Sequence, residues 1–372
     1  MEFLKKKLLF SADVKALLII TLLSFLSLKG LFIWGYFATH DGDFHLVRLA
    51  YYINSIQAGY FPPRLIPELA YGYGYPVFHF FYPLVYLFAS GFSALGFSLG
   101  MSLKLLMGTV SIASGYAFYA WLRSHFTPTA ALFGTILFIF APFRFVTLYV
   151  TGQLGGLFSF LWVPPILLCL FQIIVKKNNI SVVLLGLVLA CFITTHLLSI
   201  VAFGLLIAAY AGVLLYSSTD TLSHKMLTLK KLFLSGILGF FLSAFYILPM
   251  LLEKHWFKIG NQVVIAYQDH WPSVAQLLYS PWGFGYSVPG VSDAMSFQIG
   301  FAQLLVLLFS VITILFLFFA KRKKLQFSMQ TLTAMVFLAV ILITVFLMLP
   351  YSHAVWKNIK IPMSQIMFRY VI

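Results

Sequence analysis

Residues 298–320 read QIGFAQLLVLLFSVITILFLFFA, and the next four are Lys321-Arg322-Lys323-Lys324. About 20 apolar residues suffice for a helix to cross the roughly 30 Å hydrocarbon core of a bilayer, and this run carries no charge. A basic cluster at the end of such a run belongs on the cytoplasmic side. The same pairing recurs along the chain. Apolar runs fall at 15–38, 76–95, 100–122, 129–148, 153–175, 180–195, 197–216, 232–252, 298–320 and 330–350. Basic clusters punctuate them at Lys5-Lys6-Lys7, Lys176-Lys177, and Lys225 with Lys230-Lys231.

Composition agrees. Apolar residues are 62% of the 372, and charged residues only 9%. Mean hydropathy is +0.98. A soluble domain carries about 25% charged residues because its surface faces water. The fold class expected is therefore an all-α polytopic membrane protein. The net charge of +15, from 24 Lys and Arg against 9 Asp and Glu, would suit nucleic acid. Its confinement to short clusters between apolar runs points to membrane orientation instead, with no nucleic-acid partner. Cys169 and Cys191 both sit inside apolar runs, which offers neither a disulfide framework nor a zinc spacing. The apolar stretch after Lys7 is too long for a signal peptide, so it reads as a retained first helix with a cytoplasmic N-terminus.

Orientation parity constrains the path. Residues 180–216 would span about 55 Å as one helix, so a hairpin is expected, with Thr194-Thr195-His196 at its outer tip. That hairpin places Lys177 and Asp220 on one side. Parity also requires one run before Lys176 not to cross. The run 76–95, with Pro76, His79, Pro83 and Gly91, is expected to lie on the outer surface or to re-enter. Arg123 then falls inside and Arg144 outside. Seven crossings make a module over 1–252, with an outer loop at 39–75. A second outer loop occupies 253–297, and further spans fill 298–372. Ser364 to Ile372 reads as the start of another apolar run, which predicts a truncated C-terminus.

The acids are sparse. Glu2, Asp13 and Asp220 fall in cytoplasmic segments. Asp41, Asp43, Glu68, Glu253, Asp269 and Asp293 fall in the two outer loops. None lies in the middle of an expected span, which weighs against a proton- or cation-coupled carrier. The first loop opens His40-Asp41-Gly42-Asp43-Phe44-His45-Leu46-Val47-Arg48. On a helix, Asp41, His45, Arg48 and Tyr52 share one face. Arg48 there would favour an ionised Asp41, able to take a proton from a hydroxyl. Alternatively, either aspartate simply caps the helix. Next comes a loop set by prolines and glycines, Gly59 to Arg64 and Tyr71 to Pro76. Its aromatics, Tyr73 among them, suit either a binding surface or a membrane belt. His79 and His196 are each a cavity-lining candidate or a packing residue. In the second loop, Glu253-Lys254-His255-Trp256, Asp269-His270-Trp271 and Trp282 to Tyr286 suit either sugar contact or interface anchoring. Adjacent Asp269 and His270 do not face one another on a helix and make a weak metal site. Lys29 reaches a lipid phosphate or snorkels to the surface.

The sequences Asp41-x-x-Phe44-His45-x-x-Arg48, Gly59-x-Phe61-Pro62-Pro63-Arg64 and Gly72-Tyr73-Gly74-x-Pro76-x-Phe78-x-Phe80-Phe81-Tyr82-Pro83 together resemble the first outer loop of a bacterial family. It is the YfhO-like, 6-pyruvoyl-tetrahydropterin synthase-related membrane protein family, which is similar to the GT-C glycosyltransferase superfamily. The resemblance covers about 45 residues by motif and the rest by layout. It implies a GT-C-type helical bundle whose large first outer loop contains surface helices, set in a bacterial inner membrane. It further implies transfer of a sugar, with inversion, from a polyprenyl-phosphate carrier to a lipid or cell-envelope glycan acceptor on the outer face. Asp41 matches the family's base best, and Asp43 is second. His45, Tyr73, His79, His196, Glu253, Asp269 and His270 are candidate substrate contacts. Arg48, Arg64, Arg144 and Arg369 are candidates to stabilise the departing phosphate. A divalent cation, Mg or Mn, is left open. Tyr149 to Gly156 lacks the Arg-Gly pair and acid that relatives carry there. Two alternatives therefore stand beside the transferase: a lipid-linked sugar transporter or flippase, and a catalytically inactive binding subunit.

Overall fold

The computed structural model describes residues 2–256, 270–290, 292–320 and 327–358. Among these the regular elements are helical, apart from two isolated bridges, Ile66 with Tyr75 and Phe284 with Met295. The first half holds α1 (Glu2–Ser27), α2 (Gly42–Gln57), α3 (Val77–Phe80), α4 (Pro83–Ala94), α5 (Leu99–Arg123), α6 (Pro128–Ile139) and α7 (Pro142–Phe145). A π-helical turn, Val146–Thr151, continues α7. Then follow α8 (Leu154–Ile174), α9 (Ile180–Thr195), α10 (Leu198–Ser217) and α11 (Leu222–Glu253). The second outer loop carries α12 (Val274–Leu278), and the chain continues through α13 (Phe301–Ala320), α14 (Met329–Met348) and α15 (His353–Asn358).

Among the described residues, six helices are long and apolar enough to cross a membrane: α5, α8, α10, α11, α13 and α14. A seventh candidate is α6 with α7 and the π turn, bent by 48° at the break. The bend follows from Pro142, whose ring disfavours helical geometry at Ala141, found extended at φ −63° and ψ 129°. Helix starts are set by short polar caps. Ser98, Thr127, Thr221 and Ser328 each accept a hydrogen bond from the backbone N–H three residues on. The chain is thus a multi-pass α-helical membrane protein. Its large exposed apolar side chains, such as Phe301, Phe309, Phe316 and Phe319 on α13, need lipid around them.

The bundle is centred on α5 and α8. α5 packs on α8, α6, α4 and α1, while α9 lies against both α8 and α11, and α10 against α14. Small residues let α9 and α11 approach closely: a Cβ at Gly239 would stand 3.1 Å from the Gly186 carbonyl. One end of the bundle is tied by polar contacts. Arg123 Nε donates to Asp13 Oδ1 at 2.6 Å, and Tyr119 Oη donates to the same oxygen at 2.5 Å. Lys177 pairs with Asp220, and Lys231 Nζ donates to Asn179 Oδ1 at 2.7 Å. The Lys177–Asp220 pair closes the hairpin expected over 180–216.

The run 76–95 breaks at Phe81-Tyr82 into α3 and α4. Twelve-residue α4 rises only about 18 Å, too short for a crossing. Arg144 departs from expectation. It is buried, and its Nη2 donates to Ser114 Oγ at 2.9 Å and to the Ser111 carbonyl at 3.3 Å, level with the middle of α5 rather than at the outer side. Phe138 and Phe160 flank the guanidinium at 4.2 and 5.1 Å. The proline bend explains the error, because it turns α7 back into the bundle where the sequence showed the end of a run.

Candidate functional site

The segment leaving α1 docks on the end of the π turn. His40 N–H donates to the Val150 carbonyl and Asp41 N–H to the Thr151 carbonyl, both at 3.0 Å. Gly152 then reverses the chain at φ +65°. A Cβ there would sit 2.1 Å from Thr39 Oγ1, so glycine permits this closeness. Asp41 occupies the N-cap position of α2, yet its carboxylate makes no capping hydrogen bond. The simple capping role is therefore not the one its side chain plays.

α2 turns His45, Leu49 and Tyr52 inward, each at most 1% exposed. His45 Nδ1 hydrogen-bonds Tyr86 Oη at 2.8 Å. Tyr86 and Tyr82, one turn apart on α4, stack at 6.4 Å, and Tyr82 lies 5.6 Å from the His196 ring. His196 bonds Ser199 and packs where a Cβ on Gly155 would be, 2.4 Å from the ring. Arg48 lies over Phe81 at 4.1 Å and Phe44 at 5.6 Å. The structure thus gathers Asp41, His45, Arg48 and His196 from the sequence candidates, and adds Tyr36, Thr39, Tyr82 and Tyr86.

Burial governs the electrostatics. It raises the Asp41 carboxyl above the usual carboxylate range, and the charges of Arg48 and His40 offset this only in part. Arg48 favours the ionised form, as its place on the same helix face led one to expect, but loss of water outweighs it. Burial, aided by Arg48, lowers His45 to about 3, and burial lowers His196 to about 4, so both rings are neutral near pH 7. Burial likewise raises the phenols of Tyr36, Tyr82 and Tyr86, which remain protonated donors. Tyr36 Oη and Thr39 Oγ1 are buried with no hydrogen-bond partner among the described residues, and His45 Nε2 has only a poorly aligned neighbour in the Gly152 backbone. Such orphaned groups cost about 1–3 kcal/mol each, and in a native fold they call for an occupant or a task.

A second group forms against α11. His79 Nε2 lies 3.3 Å from Glu253 Oε2, and Tyr246 Oη donates to the Phe80 carbonyl at 3.0 Å. Arg64 lines a shallow dent here with Pro62, Pro63, His79 and Pro249. The structure places Arg64 with this group. Asp43 is exposed in the first turn of α2. Tyr73 is 92% exposed on the loop tip beside Tyr71. His270 is buried and bonds Ser287 Oγ through Nδ1 at 2.8 Å. Arg144 lies within the bundle, as described above. Asp269 and Arg369 lie outside the described residues.

Among the described residues no three His, Cys, Asp or Glu side chains converge. Asp41 has the cationic Arg48 as neighbour, while Asp43 is turned to the exposed side, so these residues do not fit a divalent cation. The aromatic members were missed because neutral tyrosines leave no charge pattern. The spacing of Tyr82 and Tyr86, four apart after Pro83, was the available signal that both share a helix face.

Beside this end of the bundle lies a groove of about 660 Å³ between α1 and α5. Tyr36 lines it and also packs against Gly42 and Gly100, where a Cβ would meet its ring at 2.9 Å and its own Cβ at 3.2 Å. Tyr36 therefore lies between Gly42 at the start of α2 and this hollow. Comparison of the chain with protein-family models, with curated proteins and with solved structures found no match.

Proposed function

We propose that the protein is a GT-C-like glycosyltransferase that moves a sugar from a polyprenyl-phosphate carrier to a hydroxyl acceptor at the Asp41 end of the membrane. The observation that carries this proposal is the Asp41 carboxylate. It is partly buried, makes no capping bond and is raised in proton affinity, in a region where the buried Tyr36 and Thr39 hydroxyls lack partners among the described residues. A carboxylate of raised proton affinity suits a general base. In the reaction, Asp41 takes the acceptor's proton as the acceptor oxygen attacks the anomeric carbon. The carbon–oxygen bond to phosphate breaks on the opposite face, which inverts the centre. The lipid phosphate leaves with the electron pair, and the guanidinium of Arg48 stabilises the charge that develops. Tyr36, Thr39 and His45 supply hydrogen bonds to the sugar or phosphate once these groups are uncovered.

The opposite, basic end with Lys177 and Lys231 is then cytoplasmic by the positive-inside rule, and the Asp41 end faces outward in a bacterial inner membrane. The purified full chain, incubated with labelled polyprenyl-phosphate sugar and a hydroxyl acceptor, should yield a glycosidic product whose formation requires Asp41. Binding of the carrier with no bond made would instead identify a transporter or a binding subunit.

A further inference from the structure

The groove between α1 and α5 holds a cation that the proposed reaction does not use. Lys104 stands in the second turn of α5 and is only 5% exposed. A lysine near a helix end in a membrane normally extends to the surface. This one turns inward, and its Nζ donates to the Ile33 carbonyl at 2.6 Å and the Gly35 carbonyl at 3.0 Å. An ammonium has three donors, so one is left without a partner among the described residues. No carboxylate lies within 4 Å to neutralise it among those residues.

The space beside Lys104 is shaped for a chain. Its walls include Phe25, Leu28, Phe32, Leu105 and Ile112, and its volume of about 660 Å³ is in the range of small-molecule sites. Phe25 and Phe32, about half and two-thirds exposed, flank its side. Trp34, fully exposed, stands among the lining residues in the way interfacial tryptophans do. Tyr36 walls the groove from Asp41. The cavity therefore offers apolar contact along α5 and the 28–36 segment and one positive charge near a helix end with no carboxylate beside it, and Asp41 is not among its lining residues.

We propose that this groove is a binding site for an anionic glycerophospholipid, with an acyl chain between α1 and α5 and the phosphate on Lys104. It is independent of sugar transfer. The phosphate takes the third ammonium donor and neutralises a charge that is otherwise costly in an apolar setting.

Native mass spectrometry of the full chain in detergent, with equal phosphatidylglycerol and phosphatidylcholine, tests the site. One phosphatidylglycerol should be retained with about tenfold preference over the zwitterionic lipid, a difference of about 1.4 kcal/mol. Lys104→Met should bring that ratio to about one. Gly108→Leu keeps the charge but fills the apolar wall, since a Cβ there meets only Leu31, at 3.7 Å. It should abolish retention of both lipids. Millimolar inorganic phosphate should not displace the bound lipid. No anionic preference in the parent chain, a preference unchanged in Lys104→Met, or lipid retention unchanged in Gly108→Leu would each overturn the site. So would displacement of phosphatidylglycerol by equimolar polyprenyl phosphate, which would assign the groove to the carrier.

Discussion

The backbone N–H of Asp41 donates to the Thr151 carbonyl at 3.0 Å, which ties the proposed base to the end of a π-helical turn. π turns inside helices occur frequently at functional sites. Here the turn continues a span bent at Pro142, so the position of Asp41 is set by the bent span as well as by the loop that carries it. Two aspartates two residues apart thereby acquire different surroundings.

That difference yields the first prediction. Asp41→Asn should lower sugar transfer by about 10²- to 10⁴-fold, the range of a lost general base. Asp43→Asn, on the exposed side, should change it less than about twofold. Product formation by both variants, normalised to inserted protein, is the measurement. Equal losses would remove Asp41 from the role.

Arg48 supplies a second test, in the pH profile. Its charge lowers the proton affinity of Asp41 against the larger effect of burial. The base is active when deprotonated, so transfer should fall as pH drops through a value above the ordinary carboxylate range. Arg48→Met removes the offset and should move that acidic limb to higher pH, besides lowering the rate. An acidic limb left in place would show that Arg48 does not act on Asp41.

Stability should depend on pH with a defined sign. His45 and His196 are held neutral, with values near 3 and 4, against an unfolded value of 6.5. The unfolded chain therefore binds more protons below pH 6.5, and stability, complete above that pH, declines as pH falls toward those values. Tm measured in detergent should drop between pH 6.5 and 4. His45→Gln should flatten part of that drop.

Much of the fold was legible in the sequence. Hydropathy located the spans because a helix in lipid must satisfy its own backbone and show apolar side chains outward. The length of 180–216 predicted a hairpin with Lys177 and Asp220 on one side, and the two pair in the structure. Pro76 and Pro83 marked residues 76–95 as a run that does not continue as one long helix, and it breaks at Phe81-Tyr82 into two short ones. The site was legible in part. Asp41, His45 and Arg48 could be grouped by helical spacing, and His196 was singled out by its place at a hairpin tip. Which aspartate faces inward was not readable, since both precede or begin the helix and the bundle decides its rotation. Tyr36 and Thr39 reach the site only through contacts with Gly42 and Gly152, which no local pattern records. Arg144 was misplaced because the bend at Pro142 alters depth without altering hydropathy.

Arg144 carries a stability prediction of its own. Its Nη2 donates to Ser114 Oγ inside the bundle, and Ser114 is fully buried. Ser114→Ala removes an acceptor from a charged donor and should cost about 1.5–3 kcal/mol. Unfolding in detergent would register it, with Ser310→Ala, whose partly exposed hydroxyl bonds only the Val306 carbonyl of its own helix, as a control near zero.

Gly152 tests the link between the π turn and the base most directly. An alanine there must hold φ near +65°, which costs about 1–2 kcal/mol, and its Cβ would lie 2.1 Å from Thr39 Oγ1 and 2.8 Å from Thr39 Cβ. Thr39 is two residues before Asp41, so relief of the clash must move the segment whose N–H groups bond Val150 and Thr151. Gly152→Ala should therefore lower transfer by at least about tenfold, a loss of about 1.4 kcal/mol in the barrier, while the protein still inserts. Gly236→Ala, where a Cβ meets nothing within 4 Å, should leave transfer unchanged. Wild-type activity in Gly152→Ala would mean that Asp41 is positioned by α2 alone, without the bent span.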